Sequence, residues 1–233
     1  MSGSSVITPT GDRPEAFGLC CEYMKRQTTK PTEWIIVDDG KIPTTPPNFD
    51  FVKYYRREKA NNEPEHTLPI QLLHILDEVN TDRVIIMEDD DWYHPQYLEK
   101  MNALFSESED YDLVGFGDAV YYHIPLKKYY YHNNKNRASW CQTGFRRSFS
   151  SEIARICEKH EPFIDLYAWK SKCKKNLKLE KHQCCIGIKG LPGREGTTMG
   201  WRRTHLFLPD SDLHVLKKLI GNEDIKKYKK YFD

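Results

Sequence analysis

Apolar and polar positions follow two rhythms along the chain. Ser5–Thr8, Trp34–Val37 and Arg83–Met87 are short runs in which apolar residues stand side by side, the signature of strands covered on both faces. Between them the spacing lengthens to that of amphipathic helices, over 14–27, 68–79 and 95–106. In the second of these, Leu72, Leu73, Ile75, Leu76 and Val79 share one face. A proline-rich loop over 42–47 leads to a further strand at 51–55. Strands alternating with helices predict an α/β fold built on a mixed, mostly parallel sheet flanked by helices.

Beyond residue 110 the rhythm breaks. The pattern predicts a strand over 112–117, a hairpin of 119–124 and 126–132 about Pro125, and helices over 148–160 and 165–174. A late strand over 184–188 precedes a glycine-rich loop at 190–200, and 210–231 reads as a helical tail. With 233 residues the chain suits a single α/β domain, whose half up to about residue 120 has the regularity of a nucleotide fold. The irregular half from about 121 to 233 is expected to read the substrate.

Composition narrows the class. Charged residues make 30% and hydrophobic residues 39%, a globular balance. No apolar run reaches the roughly 18 residues of a membrane span, and the first residues lack a secretory pattern, so a cytoplasmic location is expected. The seven cysteines show neither a disulfide framework nor zinc-type spacing and read as reduced thiols. Charge is unevenly placed: residues 1–166 hold 19 basic and 27 acidic side chains, whereas 167–233 hold 16 and 7. The basic end is either a solvated face or a surface for an anionic partner.

Candidate chemistry gathers where the strands end. Glu88-Asp89-Asp90-Asp91 places four carboxylates after a buried strand, and their mutual repulsion calls for a compensating cation. Hard oxygen donors at such an edge suit Mn²⁺ or Mg²⁺, although an acidic turn that merely ends a strand looks the same. Asp38-Asp39-Gly40 supplies a second pair, open to the same ordinary reading as a turn. Thr8-Pro9-Thr10, followed by Arg13, ends the first strand with hydroxyls, free amides and a guanidinium. P-loop and dinucleotide glycine patterns are absent, which disfavours an ATPase or a dehydrogenase.

Taken in order, Thr-Pro-Thr-x-x-Arg, Ile-Ile-Val-Asp-Asp-Gly and Val-Ile-Ile-Met-Glu-Asp-Asp-Asp-Trp-Tyr-His-Pro-Gln-Tyr-Leu resemble the nucleotide-sugar half of GT-A-fold glycosyltransferases of the family-2-like group. The likeness spans roughly residues 4–120. It implies a metal-dependent transfer from a nucleotide sugar, a UDP-sugar by preference, to a glycan or other hydroxyl acceptor. It further implies that Thr8, Pro9, Thr10 and Arg13 border the base and phosphates. Asp38 or Asp39 would bind the base, Asp89 the ribose and Asp90 the divalent ion. Glu88 stands where the family often has Asp, so Glu88 and Asp91 leave two registers open. Arg56 or Arg57 can reach the base or phosphate from the third strand.

The acceptor hydroxyl needs a general base. Asp165, a lone acid among Phe163, Ile164, Leu166 and Tyr167, has the surroundings to raise its pKa, and the resemblance also favours it; an N-cap role is the plain alternative. Asp118 is a weaker candidate. Arg194, Arg202 and Arg203, on the glycine-rich loop, are expected to close over the diphosphate; His205 reads first as a surface histidine, and the resemblance offers a place among the metal's ligands as the alternative. Tyr121, Tyr122 and Tyr129–Tyr131 offer faces for stacking a sugar, or simply pack. Competing functions are a nucleotidyltransferase and a non-catalytic module binding nucleotide or nucleic acid through Lys170–Lys181. A nucleic-acid acceptor for the sugar would combine two of these.

Overall fold

The computed structural model describes residues 3–159, 162–179, 184–195 and 203–232. Its first strands follow from the apolar runs: β1 (Ser4–Thr10) and β2 (Glu33–Asp38) are buried at every position. Helix α1 (Pro14–Lys25), opened by its proline, lies between them, and β3 (Val52–Arg56) pairs beside β2. Helix α2 (Leu68–Ile75) tightens into a 3₁₀ turn at Leu76–Glu78 before β4 (Arg83–Ile86). After β5 (Trp92–Tyr93) comes α3 (Tyr97–Ser106), then β6 (Leu113–Phe116).

The second half departs from its expected outline. The hairpin forms as β7 (Ala119–His123) and β8 (Lys128–His132), and β9 (Thr143–Arg146) follows as a strand the apolar pattern does not announce. Helices α4 (Ser150–Cys157) and α5 (Ile164–Lys170) come next. The helix expected to reach Lys174 stops at Lys170 because Ser171 turns extended (ψ 157°), and Lys175–Lys178 becomes β10. Then come β11 (Cys185–Lys189), the short β12 (Leu208–Pro209) and α6 (His214–Tyr228), kinked at Gly221.

The larger sheet has the order β10-β6-β9-β4-β1-β2-β3, with β9 alone running against its neighbours. A smaller sheet, β12-β8-β7-β11-β5, stands beside it. Successive residues of a strand point to opposite faces, so the apolar runs feed two cores. Val6, Ile36 and Ile85 join α1, α3 and the smaller sheet on one face, while Ile7, Ile35, Val84 and Ile86 join α2, α4 and α5 on the other. Among the described residues, no helix is long and apolar enough to cross a membrane. None of the seven cysteines forms a disulfide.

Candidate active site

Because β1, β2 and β4 are parallel, their carboxyl ends emerge along one rim. Thr10 stands in register with Asp38, and the Asp39 amide donates to the Thr10 carbonyl at 3.3 Å. The Thr10 hydroxyl donates to Asp89 Oδ2 at 2.7 Å, which ties the first tip to the third. Gly11 is required at this junction, since a Cβ there would collide with Asp39 Oδ1 and the Arg194 guanidinium. Gly193, at φ 114°, lets the loop after β11 lie directly on Asp12 and Arg13.

The rim opens into a cavity of about 540 Å³, a size suited to a nucleotide-scale ligand. Of the residues singled out in the sequence, Pro9, Arg13, Glu88, Asp89, Asp90, Asp91, Tyr121, Asp165, Arg194 and Arg203 line it. Others face elsewhere. The Thr8 hydroxyl accepts from Trp34 Nε1 at 2.8 Å within the core. Asp38 accepts from the amides of Gly40 (2.8 Å) and Thr44 (2.7 Å) and from the Tyr54 hydroxyl (2.7 Å), so its carboxylate is spent on its own loop. Arg56 donates to the Asp38 carbonyl at 2.8 Å, and Arg57 is buried against Glu63 with Asp39 Oδ2 at 3.6 Å. Arg194 Nη2 donates to the other Asp39 oxygen at 2.6 Å. His205 is exposed and does not line the cavity; Arg202 lies outside the described residues.

The 88–91 turn is crowded with charge. Arg13 lies 3.2 Å from both Asp89 Oδ1 and Asp90 Oδ2. Lys189, at the end of β11, sets its ammonium 3.2 Å from Asp90 Oδ2 and 3.1 Å from Asp91 Oδ1. Two cations against four carboxylates, three of them buried and Glu88 half-buried, leave an excess of negative charge. Burial therefore raises Asp89 to about 6 despite Arg13, and Asp91 to about 6 despite Lys189. Burial, with repulsion from Asp91 and Asp90, also carries Glu88 well above the carboxylate range. Asp90 alone goes down, because Lys189 and Arg13 outweigh the burial that pushes it up. Asp89 Oδ1 is buried yet receives no aligned hydrogen bond. Hard oxygens, one of them unsatisfied, in a pocket short of positive charge fit a divalent cation.

Asp91, Cys141 and Cys185 also bring ligand atoms within 4.8 Å of one another. There the two thiols hydrogen-bond to each other, and Asp91 Oδ1 already takes the Ile188 amide and Lys189. This reads as a filled polar network beneath the rim.

Asp165 sits in the first turn of α5, across the cavity from the carboxylate turn, and its neighbour Phe163 rather than Asp165 itself is the N-cap residue. Burial raises its pKa, while Arg137, with Nε at 3.6 Å, and backbone amides oppose the rise. Asp118 lies away from the cavity, its carboxylate accepting the Asn134 amide at 3.0 Å. Sequence reasoning missed Lys189, His66, His132 and Arg137, all of which line the cavity. Lys189 left one faint mark, a lysine ending an apolar strand just before a glycine.

The description "Glycosyl transferase family 2" matches residues 5–165. No curated protein sequence matches the chain. Among solved structures, S. aureus TarS residues 1–349 in complex with UDP aligns with a TM-score of 0.56 at 13% identity, over 80% of this chain and 60% of that one. The same TarS segment with UDP-GlcNAc gives 0.52 at 13%, over 84% and 61%. This chain thus spans about three fifths of those TarS chains, and at such identity the likeness is one of fold, the GT-A arrangement of a mostly parallel sheet flanked by helices. With its three strand tips inside the matched segment, the chain belongs to glycosyl transferase family 2.

Proposed function

We propose that this glycosyltransferase moves a sugar from a nucleoside-diphosphate donor, a UDP-sugar, to a hydroxyl acceptor by direct displacement with inversion, aided by a divalent cation. The observation carrying this reading is the cavity itself, where carboxylates suited to a cation and a raised carboxyl suited to a base face one space. Asp90, with Asp89 beside it, would hold Mn²⁺ or Mg²⁺, which supplies Lewis-acid stabilisation of the diphosphate's developing charge.

The chain's own residues do the rest. Half-buried Arg13 and buried Lys189 put two positive charges beside the same space, favouring a departing dianion. Thr10 fixes Asp89 for a ribose hydroxyl. Base recognition falls to the backbone of the 8–10 and 38–40 segments and to Asp39, once Arg194 yields that carboxylate. Asp165 accepts the proton from the acceptor hydroxyl as it attacks the sugar's anomeric carbon. Arg137 keeps Asp165 available in its charged form. Family membership sets aside the nucleotidyltransferase and the purely binding module, and the acceptor is a glycan or another hydroxyl compound. Seven cysteines without a disulfide favour a reducing compartment, the cytoplasm.

The test screens UDP-sugars with Mn²⁺ for slow donor hydrolysis and for transfer. Asp165→Asn is expected to retain donor binding and to lower transfer at least about a hundredfold. Unchanged transfer by that variant discards the base assignment, and absence of turnover with every UDP-sugar discards the donor class.

A further inference from the structure

Lys189 is an unusual residue to find where it is. Its side chain is 7% exposed, and its backbone is locked by β11 and by the Ile124 amide, which donates to the Lys189 carbonyl at 2.9 Å. Burying an ammonium is costly unless opposite charge surrounds it. Here Asp90, Asp91 and Glu88 reverse the effect of burial, and the ammonium is held firmly charged. The two oxygens it touches belong to different residues: Asp91 Oδ1, which also accepts the Ile188 amide at 3.1 Å, and Asp90 Oδ2, which it shares with Arg13. The Asp91 contact is thus anchored in the fold. The Asp90 contact is the exchangeable one, and it falls on the carboxylate a divalent cation would use.

We propose that Lys189 is a resident counter-ion of the carboxylate turn, competing with the divalent cation for Asp90 and so setting how tightly the enzyme holds its metal. This rests on the metal-dependent reading above. In the free protein the ammonium neutralises Asp90, so the turn stays folded without a bound ion. With a cation held by Asp90, the ammonium would keep its contact with Asp91 and have a hydrogen bond to spare for an anionic group of the donor. Lys189 is in this sense a positioning residue, since it acts on the metal through Asp90.

The experiment measures free Mn²⁺ by its EPR signal as the ion is titrated into the full chain with saturating UDP. Lys189→Met is expected to bind Mn²⁺ at least tenfold more tightly than the wild type, with a lower melting temperature in chelator that Mn²⁺ restores. Lys189→Arg, which keeps the charge, is expected to remain within about threefold of wild type. If the wild type binds Mn²⁺ and Lys189→Met binds it equally or more weakly, the inference falls and the metal reading stands. If neither binds, both fall. Binding by Lys189→Met alone upholds the competition and overturns metal use by the natural enzyme. Should Lys189→Met not fold, the wild type labelled with ¹³C-lysine decides: Mg²⁺ with UDP must shift the Lys189 Cε resonance, identified by its loss in Lys189→Arg, and an unmoved resonance overturns the inference.

Discussion

Two acidic turns face each other across the tip of β1, and they meet opposite fates. At 38–39 the protein supplies a partner for nearly every oxygen: three donors satisfy Asp38, and Arg57 and Arg194 flank Asp39. Each turn keeps one buried oxygen without an aligned hydrogen bond, Asp39 Oδ2 and Asp89 Oδ1, but at 88–91 two cations serve four carboxylates and three of the four acids are pushed upward. Both turns follow buried strands and both read Asp-Asp in sequence. What separates them is the supply of donors from distant segments. A carboxylate whose hydrogen bonds are complete stabilises a loop, and one left short of positive charge is available to a ligand.

That contrast is broken most directly at its two centres. Asp90→Asn is expected to lower UDP-sugar turnover about a thousandfold, measured at saturating Mn²⁺, while leaving the urea midpoint nearly unchanged. Asp38→Ala is expected to do the reverse, costing about 3 kcal/mol of stability because buried donors lose their acceptor, with turnover per folded molecule largely kept. Exchanged outcomes would mean that the roles of the turns are reversed. Thr10→Val probes the link between them; losing the bond to Asp89 should cost about 1 kcal/mol in denaturant unfolding and weaken donor binding several-fold.

Glu33, remote from both turns, gives the smallest effect and a reference. Burial pushes it up, but the Asn80 amide, Lys53 and Ser5 bond its charged form and hold it at about 2. The unfolded chain's glutamate titrates near about 4.3. The stability this carboxylate adds is therefore complete above the unfolded value and is lost as pH falls from there through about 2. Urea midpoints across that window should fall for the wild type and fall less for Glu33→Gln.

The sequence was most legible where burial is symmetric. Strands β1, β2 and β4 announce themselves because both faces are covered, and parallel strands then oblige their ends to meet. Strand β9 was hidden because Thr143-Gly144-Phe145-Arg146 is short and carries a glycine and an arginine, although Arg146 is buried against Phe105 and Asp82. Strand β10 was hidden by lysines that continue the rhythm of α5, while buried Asn176 bonds the Leu104 carbonyl at 3.2 Å. In the site, the carboxylates were visible as a run. Their partners were not, since Lys189 lies about a hundred positions away and takes its meaning only from the pairing of β11 with β5.

The order of the larger sheet also governs how such an enzyme can be re-engineered. The chain leaves that sheet after β6, builds the β7–β8 hairpin, and re-enters at β9 between β6 and β4. A cut near residue 120 would strip β9 and β10 from the sheet and expose the edge of β4. Chimaeras should instead exchange the excursion between β6 and β9 as a cassette, leaving both anchoring strands with their host.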